Sequence, residues 1–389
     1  MRNLKEQFLL DPDICYLNFG SFGACPKPIF DDYIQWQYLL EREPVQFIAV
    51  DGPQYLVRSR EALAQYLGCN TNDLVLVTNP SYAVNIIAKS FPLGKGDEVL
   101  TTDIEYGACD KTWNYYCAKS GATYRRHPVK FPYTSKAEFV EDFFTAVNEN
   151  TKLIFISHLT SSTALILPVE EICRKARAMG IMTFIDGAHA PGQLALDLKN
   201  LDADIYTGAC HKWMMTPKGC SFLYVRPDWQ ALFDPLIVSW GFDAAIPGPS
   251  RFIDYHQGQG TRDFSAMLTI PAAIRFMDEN HWPDVAARCR QLVIDQAERF
   301  CNLLKAEPLS TLHSDFIAQL YSIRIRSSQP EKLQRLLFEK YKIEIPVMRH
   351  DDKVFIRFSI NAFNSSIDLD KLYAALEEII RSDQSLLVV

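Results

Sequence analysis

The sequence predicts an α/β fold: a large domain with a mostly parallel, seven-stranded type of sheet, followed by a smaller α+β domain. Three observations carry this. Short apolar runs alternate with helix-spaced stretches at intervals of roughly 25 to 35 residues, the rhythm of a parallel sheet covered by helices on both faces. Ser81, Tyr106, Asp186 and Lys212 all fall just beyond the ends of predicted strands, where such sheets bind ligands. Beyond residue 264 the pattern changes to two long helices and then a few strands and helices. The large domain is therefore expected over residues 16–264 and the small one over 265–389, with residues 1–15 as an arm that packs on the latter.

The segment Tyr16–Gly23 carries glycines at 20 and 23 and is followed by Pro26 and Pro28, which makes it a turn or a loop in close contact with something else. Helical spacing follows over Ile29–Leu40 and Tyr55–Leu67, and Gly68 stands where a left-handed residue closes a helix. Leu74–Thr78 is a buried strand, and Asn79-Pro80-Ser81-Tyr82 turns into an apolar helix over Ala83–Phe91. Backbone N–H groups and a hydroxyl at a positive helix end suit a phosphate, although Ser81 serves equally well as a plain N-cap. Glu98–Thr102 is the next strand, and Asp103–Ala108 leads into a helix that ends at Gly121. Ser135-Lys136-Ala137-Glu138 reads as a capping box for a helix reaching Val147.

Lys152–Ser157 is a strand whose end carries His158 to Thr163, and Pro168 opens a helix that stops at Gly180. The strand Ile181–Ile185 ends in Asp186 and then small residues that let a ligand approach the backbone. Asp204–Thr207 repeats the arrangement, its loop bearing His211 and Lys212. Cys220–Val225 is a further strand. Residues 226–264 show no period but are too apolar to be disordered, which marks a functional loop. The helices Ser265–Asn280 and Pro283–Lys305 precede strands near Gln319–Arg326 and Val354–Ser359 and helices near Glu331–Tyr341 and Asp368–Arg381. Arg357 is the one charge in the strand Phe355–Ser359, so it needs either an internal ion pair or a ligand.

An amine in apolar surroundings loses part of its preference for the proton, and a neutral lysine forms a Schiff base with an aldehyde. An aspartate on the neighbouring strand end can keep a pyridine nitrogen protonated, as pyridoxal phosphate requires to act as an electron sink. Taken singly, a strand-end Asp is more often a cap and a loop Lys more often solvated. The ordered set Asp186-Gly187-Ala188-His189-Ala190-Pro191-Gly192, His211-Lys212-Trp213 and Gly260-Thr261-Arg262-Asp263 resembles the class V aminotransferase family of fold-type I pyridoxal phosphate enzymes. Within that family it is most similar to the isopenicillin N epimerase-like branch, and the likeness runs from Tyr16 to Tyr373.

The resemblance implies pyridoxal 5'-phosphate as cofactor, Lys212 as its Schiff-base lysine and Asp186 as the pyridinium partner. Ser81 and Tyr82 fall in the family's phosphate loop, although this chain lacks the usual Gly-Ala-Thr form. Tyr106 takes the ring-stacking place held by histidine in other branches. Ser161 stands where cysteine desulfurases carry an asparagine on the ring oxygen. His189 is expected near that oxygen, and His211 on the phosphate or the lysine. Arg357 becomes the fork for the α-carboxylate of an amino-acid substrate, with Asn18 bordering the same pocket. Thr261 is expected to reach the neighbouring site of a homodimer.

With Lys212 as general base at the α-carbon, epimerisation, β-elimination from cysteine or cystine, and transamination share their first steps. Epimerisation is favoured. A persulfide-forming desulfurase needs a mobile C-terminal cysteine, yet the last cysteine is Cys301 and Ile345–His350 contains none. A catalytically silent sensor or scaffold is the non-enzymatic alternative, and Asp186, His211, Lys212 and Arg357 together speak against it. No GxGxxG follows the early strand, which weakens a dinucleotide-binding reading.

A formal charge of -7 without a dense Lys/Arg run argues against nucleic acid. There is no run of about 18 uncharged apolar residues for a membrane span and no secretory pattern at the N-terminus, so a cytoplasmic protein is expected. Ten cysteines without CxxC or zinc-like spacing read as free, mostly buried thiols, and no metal site is expected.

Overall fold

The computed structural model describes residues 4–383 and 385–389. In chain order the strands are β1 (Cys15–Tyr16), β2 (Leu74–Val77), β3 (Glu98–Thr102), β4 (Thr123–His127), β5 (Thr151–Ser157) and β6 (Met182–Asp186). They continue with β7 (Ile205–Ala209), β8 (Ser221–Val225), β9 (Leu320–Ile325), β10 (Ile343–Glu344), β11 (Val347–His350) and β12 (Lys353–Ser359).

Seven of them form the central sheet in the order β2-β8-β7-β6-β5-β3-β4. Its strands run parallel except β8, which is antiparallel to both neighbours. Only a short loop separates β7 from β8, too short for a crossover, so the chain must double back. That loop carries Lys212. Alternate residues of each strand enter opposite cores, as period-two geometry requires. Leu74, Leu76, Ile154, Ile156 and Ile185 face one core, while Val75, Val77, Leu153, Phe155 and Phe184 face the other.

The helix stops stand where the glycines placed them: Gly68 and Gly121 both close their helices in the left-handed region. Three readings need correction. The helix after β2 begins at Pro80, and its N-cap is Asn79, whose side chain accepts from the Tyr82 N–H at 2.9 Å, so Ser81 is not the cap. Ser265–Asn280 is two helices, Ser265–Leu268 and Ile270–Glu279, because Pro271 cannot continue the preceding turn. Ser135 accepts from the Glu138 N–H at 3.2 Å, but the reciprocal capping box is formed by Ser365 and Asp368.

The second sheet is antiparallel in the order β11-β12-β9, with helices Pro330–Glu339 and Ser366–Ser382 beside it. β1 pairs in parallel with β10, Cys15 opposite Ile343, which ties the N-terminal segment to the C-terminal part. All ten cysteines are unpaired. Among the described residues no helix is long and apolar enough to cross a membrane, and no His/Cys/Asp/Glu cluster could hold a metal ion.

Candidate active site

The strand ends deliver the site. Glu105 and Tyr106 follow β3, Asp186 closes β6 with His189 just beyond, and His211 and Lys212 lie in the turn after β7. Gly187 permits the turn at Asp186, since a Cβ there would meet the Tyr206 ring at 2.2 Å.

Asp186 is buried, with one oxygen accepting from the Ala188 N–H at 2.9 Å and the other 3.7 Å from the Cys109 thiol. Burial pushes its carboxyl up, against the pull of the Ala188 N–H and the Lys212 charge. Among the described residues no ion pair relieves it. A protonated ring nitrogen is the partner such a carboxylate lacks.

Burial also pushes the Lys212 amine down to about 8; the Arg357 charge adds to this, while Asp186 and Cys109 oppose it. Its Nζ lies 3.0 Å from His189 Nε2. His189 is buried, accepts from the Trp213 indole N–H at 3.3 Å through Nδ1, and is held well below the usual imidazole range by burial and then by the charge of Lys212. His211 donates from Nδ1 to the Cys220 carbonyl at 2.9 Å, and burial pushes it down to about 4. Both imidazoles are therefore neutral at physiological pH.

Arg357 occupies the middle of β12 with 1% of its surface exposed. Nη1 donates to the Ser161 carbonyl at 2.6 Å and to its hydroxyl at 3.3 Å, and Nη2 donates to the Ser21 hydroxyl at 3.3 Å. No carboxylate pairs with it among the described residues, which removes the internal ion pair as an explanation, and Nε has no partner. Burial pushes the guanidinium down to about 10. Ser161 thus spends its hydroxyl on Arg357. Asn18 lies one step behind: it accepts from the Ser21 hydroxyl at 2.5 Å and donates to Glu344 at 3.0 Å. Ser21, which had no signal in the sequence beyond its place between two glycines, is the direct contact.

At the start of helix Pro80–Ser90, the Tyr82 hydroxyl and Arg262 Nη2 are buried without partners. Burial pushes the Arg262 guanidinium down, with Tyr82 opposing. Two orphaned polar groups beside a helix N-terminus fit a phosphate. Ser81 is partly buried in the same turn, whereas Thr261 is exposed. Tyr106 is 47% exposed and near enough to Arg357 that its phenolate, once formed, would favour the charged guanidinium.

Behind Asp186 lies a second buried acid. Glu105 accepts from Thr102 Oγ1 at 2.6 Å and from the Ser157 N–H at 2.9 Å, and burial pushes it up to about 8 despite these bonds, with Asp186 and Asp110 adding repulsion. Because the folded value lies above that of the unfolded chain, the unfolded chain loses its proton first. Stability is therefore full below the unfolded value near 4.5 and is lost as pH rises towards about 8. Glu105→Gln is expected to raise the melting temperature at about pH 9 while changing it little at about pH 5. Equal shifts at both pH values would show that Glu105 stays ionised throughout.

A buried unpaired acid, an amine of lowered basicity, a half-exposed aromatic and two orphaned polar groups at a helix N-terminus on a doubly wound sheet define a fold-type I pyridoxal-phosphate-dependent enzyme. Asp186, Lys212, Tyr106, Tyr82 and Arg262 could hold the cofactor. The chain belongs to the class V aminotransferase family, whose aminotransferase class-V profile matches residues 49–372. It is 34% identical to the isopenicillin N epimerase of Amycolatopsis lactamdurans over 391 residues, 97% of this chain and 98% of that one, which places it in the epimerase branch. It is 25% identical to an L-cysteine desulfhydrase of Arabidopsis thaliana, over 96% of this chain and 89% of the relative. The solved complex of the cystine C–S lyase C-DES with cysteine persulfide superposes with a TM-score of 0.83 at 23% identity, covering 94% of this chain and 98% of that one, which establishes the fold.

Proposed function

We propose that the protein epimerises the α-carbon of an amino-acid substrate. The observation that carries this is Arg357, a fully buried guanidinium with no acidic partner among the described residues, for which a substrate α-carboxylate is the fitting counter-ion. Bound pyridoxal phosphate supplies the electron sink for the pair left behind when the α-proton is removed. Lys212 is the Schiff-base lysine and then the base that takes this proton. Asp186 holds the ring nitrogen charged, while His189 and His211 serve the ring oxygen and the phosphate. Ser161 and Ser21 orient Arg357, and Asn18 supports Ser21.

An epimerase needs a proton donor besides the lysine, and we assign that role to Tyr106. Burial and then the charges of Cys109 and Asp186 push its hydroxyl up and favour the protonated form, against the charge of Arg357. Arg262 joins Ser81 and Tyr82 at the phosphate. A homodimer in which Thr261 reaches the neighbouring site is supported by its exposure and by the apolar loop before it, where Trp240 and Ile246 are 90% and 91% exposed. Ten unpaired thiols support the cytoplasm as its location.

The test is to incubate the holoenzyme in deuterium oxide with isopenicillin N and a panel of L-amino acids. Inversion with deuterium at the α-carbon, read by chiral chromatography and mass spectrometry, is the expected result. The relative named a cysteine desulfhydrase gives the second reading, β-elimination. Pyruvate release from cysteine or cystine without inversion of any substrate would establish it and overturn the first.

A further inference from the structure

His189 lies between two nitrogen groups. The indole N–H of Trp213 reaches its Nδ1 at 3.3 Å, and Lys212 Nζ reaches its Nε2 at 3.0 Å. An indole nitrogen donates and never accepts, so Nδ1 must present its lone pair. A neutral imidazole then carries its proton on Nε2, where it can only donate. Its acceptor is Lys212 Nζ, and an amine accepts only when it has lost a proton. With Lys212 as an ammonium, two N–H groups would oppose each other at Nε2. With the other tautomer, two would oppose each other at Nδ1.

We propose that Trp213 is a positioning residue which, by fixing the tautomer of His189, holds Lys212 as a free amine. This rests on the reading of Lys212 as the Schiff-base lysine, because a free amine is what captures an aldehyde and what accepts a proton once released. The other groups facing Lys212 divide in sign. Arg357 favours the neutral amine, whereas Asp186 and Cys109 favour the ammonium. Neutral His211, beside Lys212 in the chain, turns its Nδ1–H to the Cys220 carbonyl. Burial lowers the basicity of Lys212 on its own account; the chain of donors adds a directional contribution that burial lacks. Trp213 is 1% exposed and packs on Phe19 with ring centroids 4.9 Å apart, so the indole is fixed in place.

The experiment uses the full chain freed of cofactor. Trace acetic anhydride labelling, followed by mass spectrometry of the Lys212 peptide, gives the pH midpoint of that amine. In the wild type this midpoint is expected at about 8. Trp213→Phe removes the donor and is expected to raise the midpoint by about one unit, making labelling at neutral pH about tenfold slower. Should Trp213→Phe fail to fold, benzothienylalanine at position 213 keeps the bicyclic shape and replaces only the N–H. An unchanged midpoint in a folded variant of either kind overturns the proposal. Borohydride trapping of the holoenzyme keeps this separate from the assignment beneath it. Label on another lysine would overturn Lys212 as the Schiff-base residue, while the Trp213-dependent midpoint would stand.

Discussion

Lys212→Ala is expected to leave a folded protein that holds pyridoxal phosphate without a covalent bond and turns over at least about a thousandfold more slowly. Stability should change little. The amine is partly buried and, among the described residues, forms no ion pair, so its removal relieves desolvation. The loss is the single contact with His189 Nε2, worth about 1 kcal/mol. Activity should fall because the amine has two proposed tasks, carrying the cofactor and moving the α-proton, and Lys218 in the same loop is turned to the Gly23 carbonyl at 3.4 Å. The measurement is turnover alongside borohydride trapping and the visible spectrum. Wild-type turnover in the variant would sink the assignment.

Arg357 should separate binding from stability in the opposite way. Arg357→Ala is expected to weaken binding of any α-amino acid by about 2 to 4 kcal/mol, roughly 30- to 1000-fold in KM. Amines lacking the carboxylate should bind as before. Arg357→Met should lose binding equally yet melt no lower than wild type, because an unbranched apolar side chain replaces a buried charge that, among the described residues, is held by neutral oxygens. Spectral titration gives the affinities and calorimetry the melting temperature. An Arg357→Met variant that is severely destabilised would mean that the guanidinium serves the fold instead.

Much of the large domain was legible because strands buried on both faces leave apolar runs, as in Leu74–Val77 of β2 and Leu153–Ile156 of the parallel β5. The edge strand β4 leaves no such mark. β4 reads Thr-Tyr-Arg-Arg-His, and its Arg125 is committed to Glu98 on β3 at 2.7 Å, a long-range pairing that no local pattern announces. The same limit applies in the site. Asp186 and Lys212 could be placed from strand ends and motif, but the partners of Arg357 could not, since Ser21 and Ser161 come from distant stretches. Trp213 was visible as part of a motif, while its hydrogen bond to His189 depends on how two loops meet. Arg262 stands in the same motif as Thr261, and burial, which the motif does not encode, distinguishes them.

The pairing of β1 with β10 has a bearing on how the molecule comes to be active during synthesis. Ser21 and Arg357 are 336 positions apart, and the strand that anchors the N-terminal segment is completed only at Ile343. The central sheet, by contrast, is complete at β8, by residue 225. A nascent chain can thus assemble the lysine and its acid long before the carboxylate clamp exists, since chains fold progressively from the N-terminus and distant contacts close last. With the roles proposed for Lys212 and Arg357, competence for the cofactor precedes competence for the substrate, and residues made late return to residues made early to finish the job.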